Sequence, residues 1–557
     1  MVKKCYDYIV VGSGSSGAII ASRLSEDPDV TVLLLEAGRN DRHWTVQMPG
    51  GLRAHYKKGS GFNWNFETVP QKNLDNRKLY QPRGKTLGGS SSINGMIFLR
   101  GHPQDYDRWA QEGASGWSYG DVLPYFKRFE HHADGPNEYR GGEGPIGVRK
   151  QMNLDPLSEA FLEAGRQAGY PATDDVNGKQ QEGFCRFDMN VENGVRSSSS
   201  LGFLWPARNR RNLTILTHAH GEKLIIENNR ATGFRFNRKG KSIAVRAERE
   251  VILSAGVFGS PQLLMLSGIG PADHLRQHGI DVVLDLPGVG ENLQDHLEVQ
   301  FQHRCSKDVS LNRYLRPDRM VRVGVQWFLF KSGVTARNQG NAGAFLRSNP
   351  SVAHPNIQFH FFPLFFAGEW IMRHDVQGYR LDTGTMRPTS KGTVRLASAD
   401  PFASTLIDPN YLDTPEDRAE MLEAFQIARD TLAQPAWAPF DAGETDPGPD
   451  CRTRAQIEAF IRRTATSAYH PCGTCKMGSD NDRLAVTDPG GRVRGIEGLR
   501  IGDASLMPSM ASSNLNAICM MIGEKIADAA AGKPPLPHSE TIYQNAESPG
   551  PAPVVPL

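Results

Sequence analysis

The chain has 557 residues, with 63 Lys or Arg against 61 Asp or Glu and a net charge of +2, so bulk charge gives no ground for a nucleic-acid or acidic partner. Hydrophobic residues make up 39% and charged residues 22%, which is the balance of a globular protein and excludes a disordered one. Glycine reaches 57 residues without a G-X-Y period, which excludes collagen and suggests tight turns or backbone approaching a ligand.

Length alone suggests three or four domains at roughly 150 residues each. The seven cysteines are few, odd in number and scattered, unlike a disulfide scaffold, and they suit a reducing compartment such as the cytoplasm. The opening MVKKCYDYIVVGSGSSG reads as a strand running into glycines, because no small-residue cleavage site follows it. No apolar run approaches the roughly 18 residues of a membrane span.

The first 40 residues predict a βαβ unit: a strand at Tyr8–Val11, a helix from Ser16 to Ser25, and a strand at Val30–Leu35 ending on Glu36. Residues 50–150 read as loop-dominated, being rich in Gly, Pro, Arg and aromatics. Further apolar strands are predicted at Glu250–Ser254 and Leu499–Ile501. Between about 300 and 460 the alternating patterns NIQFHFFPLFF and GTVRLASA predict an antiparallel sheet. Helices are expected at Glu416–Leu432, Arg454–Arg463 and Ala517–Ala530, and an apolar helix is expected to open at Pro261. The Pro-rich tail reads as extended or disordered.

Five motifs carry the chemistry. In the first, Gly12-Ser13-Gly14-Ser15-Ser16-Gly17 follows an apolar strand and opens a helix, and Glu36 lies 19 residues beyond Gly17. Gly12 permits the turn, Gly14 lets backbone approach a pyrophosphate, Gly17 lets the helix pack, and Glu36 can take ribose hydroxyls. The motif predicts dinucleotide binding without choosing between NAD and FAD. The second, Arg83–Gly95, interleaves glycines and serines with Arg83, Leu87, Ile93 and Asn94, which suits a loop wrapping a flat polar ring rather than a linker. The third, Gly259–Pro271, reads as largely structural. The fourth holds Tyr469, His470 and a CxxC at Cys472 and Cys475. No second CxxC or HxxxH completes a zinc site, so no metal is expected. The fifth runs from Gly502-Asp503-Ala504 to Asn514-Leu515-Asn516. Its two asparagines could cap the following helix or could set an amide beside His470.

In this order the five segments resemble the glucose–methanol–choline (GMC) oxidoreductase family, over Tyr6 to about Gly532. The segments GYPATDDVNGKQQEGF, GVGENLQDHLE, HPCGTCKMG and MMIGEKIAD are most similar to its bacterial choline-oxidising members. The resemblance implies FAD rather than NAD, and an α/β fold in which an FAD-binding Rossmann-like domain with a parallel sheet is interleaved with a substrate domain on an antiparallel sheet. The expected division is FAD-binding at 1–155, 206–300 and 461–535, substrate domain at 156–205 and 301–460, and a tail at 536–557.

By the same resemblance, Gly12, Gly14, Ser15, Ser16, Gly17, Glu36, Ala37, Trp64, Arg83, Gly84, Leu87, Gly88, Ser90, Asn94, Gly95, Met96, Ile97, Gly221, Asp503, Ala504 and Asn516 are expected at FAD. His470 matches the family's active-site histidine and Asn514 the second position of that pair. Glu298, His360 and Tyr469 are expected at the substrate, with Glu298 facing a trimethylammonium head. Ile93 stands where some oxidases carry the histidine that attaches FAD, so that linkage is excluded. The implied activity is hydride transfer from a primary alcohol to FAD, with choline giving betaine aldehyde as the best match. Uncharged alcohols and an O2-using oxidase remain open. The implied acceptor is a quinone or another carrier, with at most peripheral membrane contact.

Overall fold

The structure, a computed structural model, describes residues 3–151, 154–340, 342–368 and 371–544. Two seven-stranded sheets organise it. The first runs in the order Leu213–Leu216, Val32–Leu35, Cys5–Val11, Lys241–Leu253, Arg230–Arg238, His220–Glu227, with Leu499–Ile501 also paired to Lys241–Leu253. The pairings of Cys5–Val11 with Val32–Leu35 and with Lys241–Leu253 are parallel, as are those made by Leu213–Leu216 and Leu499–Ile501. Its central segments Tyr8–Val11, Val32–Leu35 and Val251–Leu253 are buried throughout. Near-continuous apolar runs are what a parallel sheet covered on both faces requires. Because Leu499–Ile501 returns from so far along the chain, this half is assembled from widely separated segments.

The second sheet is antiparallel, in the order Asp441–Asp446, Leu297–Cys305, Gly378–Thr385, Ile357–Phe362, Ala342–Leu346, Gly183–Arg186, with Thr466–Ser467 also paired to Leu297–Cys305. Its strands alternate. Val299, Phe301, Phe359, Phe361, Tyr379 and Leu381 face one apolar core, which the helices Pro156–Gln167 and Pro415–Leu432 cover. Glu298, Gln300, His360, Arg380 and Asp382, at the intervening positions, face a cavity. A period of two thus puts grease on one face and chemistry on the other.

Several elements differ from expectation. Besides the single turn of helix at Arg53–Tyr56, the stretch 50–150 contains two longer helices, Pro103–Gln111 and Tyr119–Phe129. Each starts on a capping box, His102 with Asp105 and Ser118 with Asp121, and buries Tyr106, Trp109, Tyr125 and Phe126. The helix expected to open at Pro261 begins earlier, at Gly256, and carries Pro261 inside it. A proline there frees the carbonyl four residues back, Val257, and the Thr474 hydroxyl donates to it at 2.6 Å. GTVRLASA pairs with Leu406–Asp408 in a separate two-stranded ribbon, outside the large sheet. The helix Pro317–Phe330 was not anticipated.

Residues 533–544 are extended but held against the body. The Leu536 N–H donates to the Tyr125 hydroxyl, Ser539 to the Gly120 carbonyl and Gln544 to the Lys179 carbonyl. The remainder of the expected tail, 545–557, lies outside the described residues. Among the described residues no helix is long and apolar enough to cross a membrane.

Candidate active site

A single cavity of about 1210 Å³ runs from the first sheet to the second. This exceeds the roughly 300–1,000 Å³ of a drug-sized site and leaves room for a dinucleotide together with a small substrate. At its first end, the turn after Cys5–Val11 brings Gly12 and Gly17 so close that a Cβ on Gly17 would lie 2.0 Å from the Gly12 carbonyl oxygen. Helix Gly17–Leu24 therefore starts directly on the strand end, with its free N–H groups and positive dipole aimed into the cavity. A Cβ on Gly14 or Gly95 would meet nothing within 4 Å, so both leave open space where a cofactor can lie against backbone.

Glu36 is buried at the end of the next strand, which pushes its pKa up. Its carboxylate takes the Ser13 N–H and hydroxyl and, at 2.7 Å, the Gly38 N–H. Asp503 likewise takes the Gly256 N–H, the Ser260 hydroxyl and the Ser505 N–H, and so ties the C-terminal segment to the first sheet. Asn516 accepts from the Ser15 hydroxyl at 2.8 Å, while its buried Nδ2 has no protein partner. Open backbone at Gly14 and Gly95 and an orphaned donor at Asn516 fit a bound dinucleotide.

At the other end, the short segment 466–470 pairs with Leu297 and Glu298 and then turns through Tyr469, whose φ of 66° is unusual for a non-glycine residue. Asp295 holds this turn. It accepts the His470 N–H at 2.8 Å and also takes the Ser467 and Tyr411 hydroxyls and the Gln81 amide. Arg83 donates to the Tyr469 carbonyl at 2.7 Å.

The result is a chain of polar side chains. Asn514 Nδ2 donates to His470 Nε2 at 3.0 Å. An accepting Nε2 leaves the proton on Nδ1, which reaches His296 Nδ1 at 3.1 Å. His296 then carries its proton on Nε2 and donates to the Met386 carbonyl at 3.0 Å. On the other side, Asn514 Oδ1 lies 3.1 Å from both His360 Nε2 and Gln358 Nε2. His360 Nδ1 meets Glu298 Oε1 at 2.8 Å. Glu298 and His360 sit on strands separated by Gly378–Thr385, and Gly384 between them carries no side chain to block the reach.

The electrostatics differ along this chain. Burial, then the neighbouring His296, His360 and Arg83, push the His470 pKa well below the usual histidine value, so its imidazole is neutral. Burial also pulls His296 down. For His360 burial acts downward, but the Glu298 carboxylate more than offsets it and the net shift is upward. Glu298 is pushed up by burial and pulled down further by His360, ending low.

All the site residues named from the sequence line the cavity except Gly17, Leu87 and Gly88. Those three stand behind its wall: Gly17 packs on Gly12, Leu87 packs on the first core, and Gly88 donates to the Ser13 carbonyl at 2.8 Å. Asn94 lines the cavity, but its Oδ1 accepts from Arg196 and from the Met96 N–H, so this carbonyl holds the loop. Asn516 is the first residue of the last helix, whose N-cap, Leu515, makes no side-chain cap; Asn514 turns to His470. Cys472 and Cys475 are free and buried, and burial raises both thiols.

Three contributors were missed: Asp295, His296 and Tyr56. A signal for His296 existed, since a residue two before Glu298 on an extended segment shares its face. Tyr56 stacks obliquely on Tyr469, with ring centres 5.6 Å apart, at the cavity wall.

A βαβ dinucleotide cradle joined by one cavity to a neutral histidine and an amide defines a dinucleotide-dependent oxidoreductase. Residues 6–298 and 388–523 match the GMC oxidoreductase family. The oxygen-dependent choline dehydrogenase 1 of Chromohalobacter salexigens is 46% identical, over 97% of each chain. The mitochondrial choline dehydrogenase of Mus musculus is 45% identical over 95% of this chain and 90% of its own. Among solved structures, formate oxidase from Aspergillus oryzae RIB40 superimposes with a TM-score of 0.89 at 28% identity, over 96% of this chain and 99% of that one. Pyridoxine 4-oxidase from Mesorbium loti gives 0.85 at 29% identity, over 95% and 100%. The chain belongs to the GMC oxidoreductase family and is an FAD-dependent oxidoreductase acting on CH–OH groups.

Proposed function

We propose that the enzyme oxidises choline to betaine aldehyde. The observation that carries this reading is Glu298: a buried carboxylate on the cavity wall, joined through His360 to Asn514. Choline's head has no N–H to donate, so only charge and aromatic faces can hold it. Arg380, the nearby cation, is already met by Asp382 at 2.7 Å. Glu298 Oε1 is taken by His360, and Oε2 is the oxygen offered to the head group. Tyr56, Tyr469 and Phe362 contribute aromatic faces to the same cavity.

The alcohol's hydroxyl takes the place between His470 and Asn514. His470 Nε2, neutral at rest, accepts the hydroxyl proton. Asn514 Nδ2–H donates to the oxygen as negative charge builds there. His470 Nδ1–H stays on His296, so the ring keeps its orientation as it gains charge, and the Met386 carbonyl fixes the tautomer of His296 in turn. Bound FAD supplies the two-electron oxidant for the carbinol carbon. Gly12, Gly14, Glu36 and Asn516 hold its dinucleotide half, and the loop Arg83–Ile97 holds the remainder. Ile93 offers no nucleophile, so FAD is not attached through that position.

The acceptor for the reduced enzyme is a quinone or another carrier, reached by peripheral membrane contact. A second reading, use of O2, is favoured by the word oxygen-dependent in the names of several relatives. The test is turnover of choline against uncharged primary alcohols with an artificial acceptor, in air and anaerobically. Choline's kcat/KM should exceed the uncharged alcohols' by about tenfold or more. Equal values would remove choline, and stoichiometric peroxide in air would favour the oxidase.

A further inference from the structure

The largest exposed apolar face lies outside the active site. Helix Pro317–Phe330 buries Val323 and Trp327 and turns Met320, Val321, Val325, Phe328, Leu329 and Phe330 outward, with Val321 66%, Leu329 68% and Phe330 72% exposed. At 100° per residue Val321, Val325, Phe328 and Leu329 fall on one stripe opposite the buried pair, with Met320 and Phe330 at the flanks. The helix is not loosely laid down: the Trp327 indole N–H donates to the Gly194 carbonyl at 2.7 Å. Trp44, itself 46% exposed, extends the stripe with its ring 5.6 Å from Phe328.

Basic residues outnumber acidic ones around this stripe although the whole chain is balanced, even with Arg316 paired to Asp318 and Arg319 to Asp308. Residues 313–331 hold five Lys or Arg and one Asp, and residues 42–66 hold four and no acid. Arg53, Lys57, Arg322 and Lys331 are exposed there. The cavity also reaches the surface nearby. Exposed Lys58, Gly368 and Arg373 line it, and the hairpin carrying Gly368 shares a small apolar cluster with the turns flanking the helix, through Leu311, Leu364, Phe366 and Met372.

We propose that the outer face of helix Pro317–Phe330, with Trp44, docks on an anionic lipid bilayer surface and sets the cavity opening beside it. Six apolar side chains on a short helix rimmed by basic residues suit burial in the headgroup region with cations against lipid phosphates. At 14 residues the helix is too short to span. The proposal rests on the reading of a membrane-linked acceptor, to which it gives an address: a lipid-soluble carrier would enter the cavity from the bilayer side.

The test is flotation of the FAD-loaded enzyme with phosphatidylglycerol–phosphatidylcholine vesicles against phosphatidylcholine alone. The wild type should float with the anionic vesicles, less so at high salt. Val325→Glu with Leu329→Glu should cut that partition by about tenfold or more. Arg322→Glu with Lys57→Glu should weaken it in the same direction. Choline turnover with a water-soluble acceptor should stay unchanged in all of them, which separates failure of docking from failure of the functional reading. Equal partition of wild type and variants overturns the proposal. So does a wild type that ignores vesicles, whether monomeric or, by light scattering, a dimer that the variants split; the dimer would mark the face as a contact between copies.

Discussion

The two ends of the cavity are built by different rules. At the first sheet, backbone does the work: free N–H groups of a helix start, glycines that leave room, and carboxylates at strand ends. At the second sheet, side chains do it, at alternate positions on antiparallel strands. The first end should respond to added volume, because its function is a shape. The second should respond to lost functional groups, because its function is a set of proton and charge contacts.

The largest effect should come from the second end. His470→Ala should retain FAD and lose kcat by roughly 10²–10⁴-fold, the range of general acid–base catalysis. A kcat within a few-fold of wild type would sink the assignment. At the first end, two glycine variants separate cradle from scaffold. Gly14→Val adds a side chain into open space and should give folded protein that has lost most of its flavin. Gly17→Ala drives a Cβ to 2.0 Å from the Gly12 carbonyl and should lower soluble yield and Tm as well. Flavin absorbance and melting curves on both variants check this; identical behaviour would erase the distinction.

A smaller effect follows at the head-group site. Glu298→Gln should raise KM for choline by about 10–100-fold, the scale of a charged contact of 1.5–3 kcal/mol, and should leave KM for an uncharged alcohol far less changed. Equal rises would make Glu298 a structural partner of His360 only.

The smallest effect belongs to the seam between the two halves. His102, capping a helix of the first core, stacks at 4.6 Å on His354, just before a strand of the second sheet. Burial, with Arg387 close by, pulls their pKa values down to about 4 and about 3. Both are neutral when folded, and the unfolded chain binds more protons once pH falls below about 6.5. Stability from them is complete above that value and is lost as pH falls toward about 4. Tm should drop by a few degrees between pH 7 and pH 5.5, and less in His354→Gln. A flat profile would remove the seam as an acid-sensitive element.

Much of the first half was legible because its signals are contiguous. The run Gly12–Gly17, the strand before it and Glu36 after it lie within one βαβ unit, so local spacing fixes their geometry. Helices Pro103–Gln111 and Tyr119–Phe129 were masked by surrounding Gly and Pro, although their capping boxes were present. The substrate end was less readable. Glu298, His360, His470 and Asn514 come from four distant segments, and only the family resemblance joined them. Asp295 and His296 stood beside Glu298 unrecognised, because their importance lies in what they touch: the His470 backbone and the His470 ring.

The sequence by itself determined the dinucleotide cradle, the alternation that separates core from cavity on the second sheet, and the residue types available for proton transfer. Tertiary structure decided which nitrogen of His470 faces the substrate, that Asn514 rather than a helix cap partners it, and that Glu298 and His360 meet across Gly384. The reason is physical. Turns and periodicity are set by neighbours along the chain, whereas tautomers, depressed pKa values and charge pairs are set by groups 44 to 174 residues apart that only packing brings into hydrogen-bond distance.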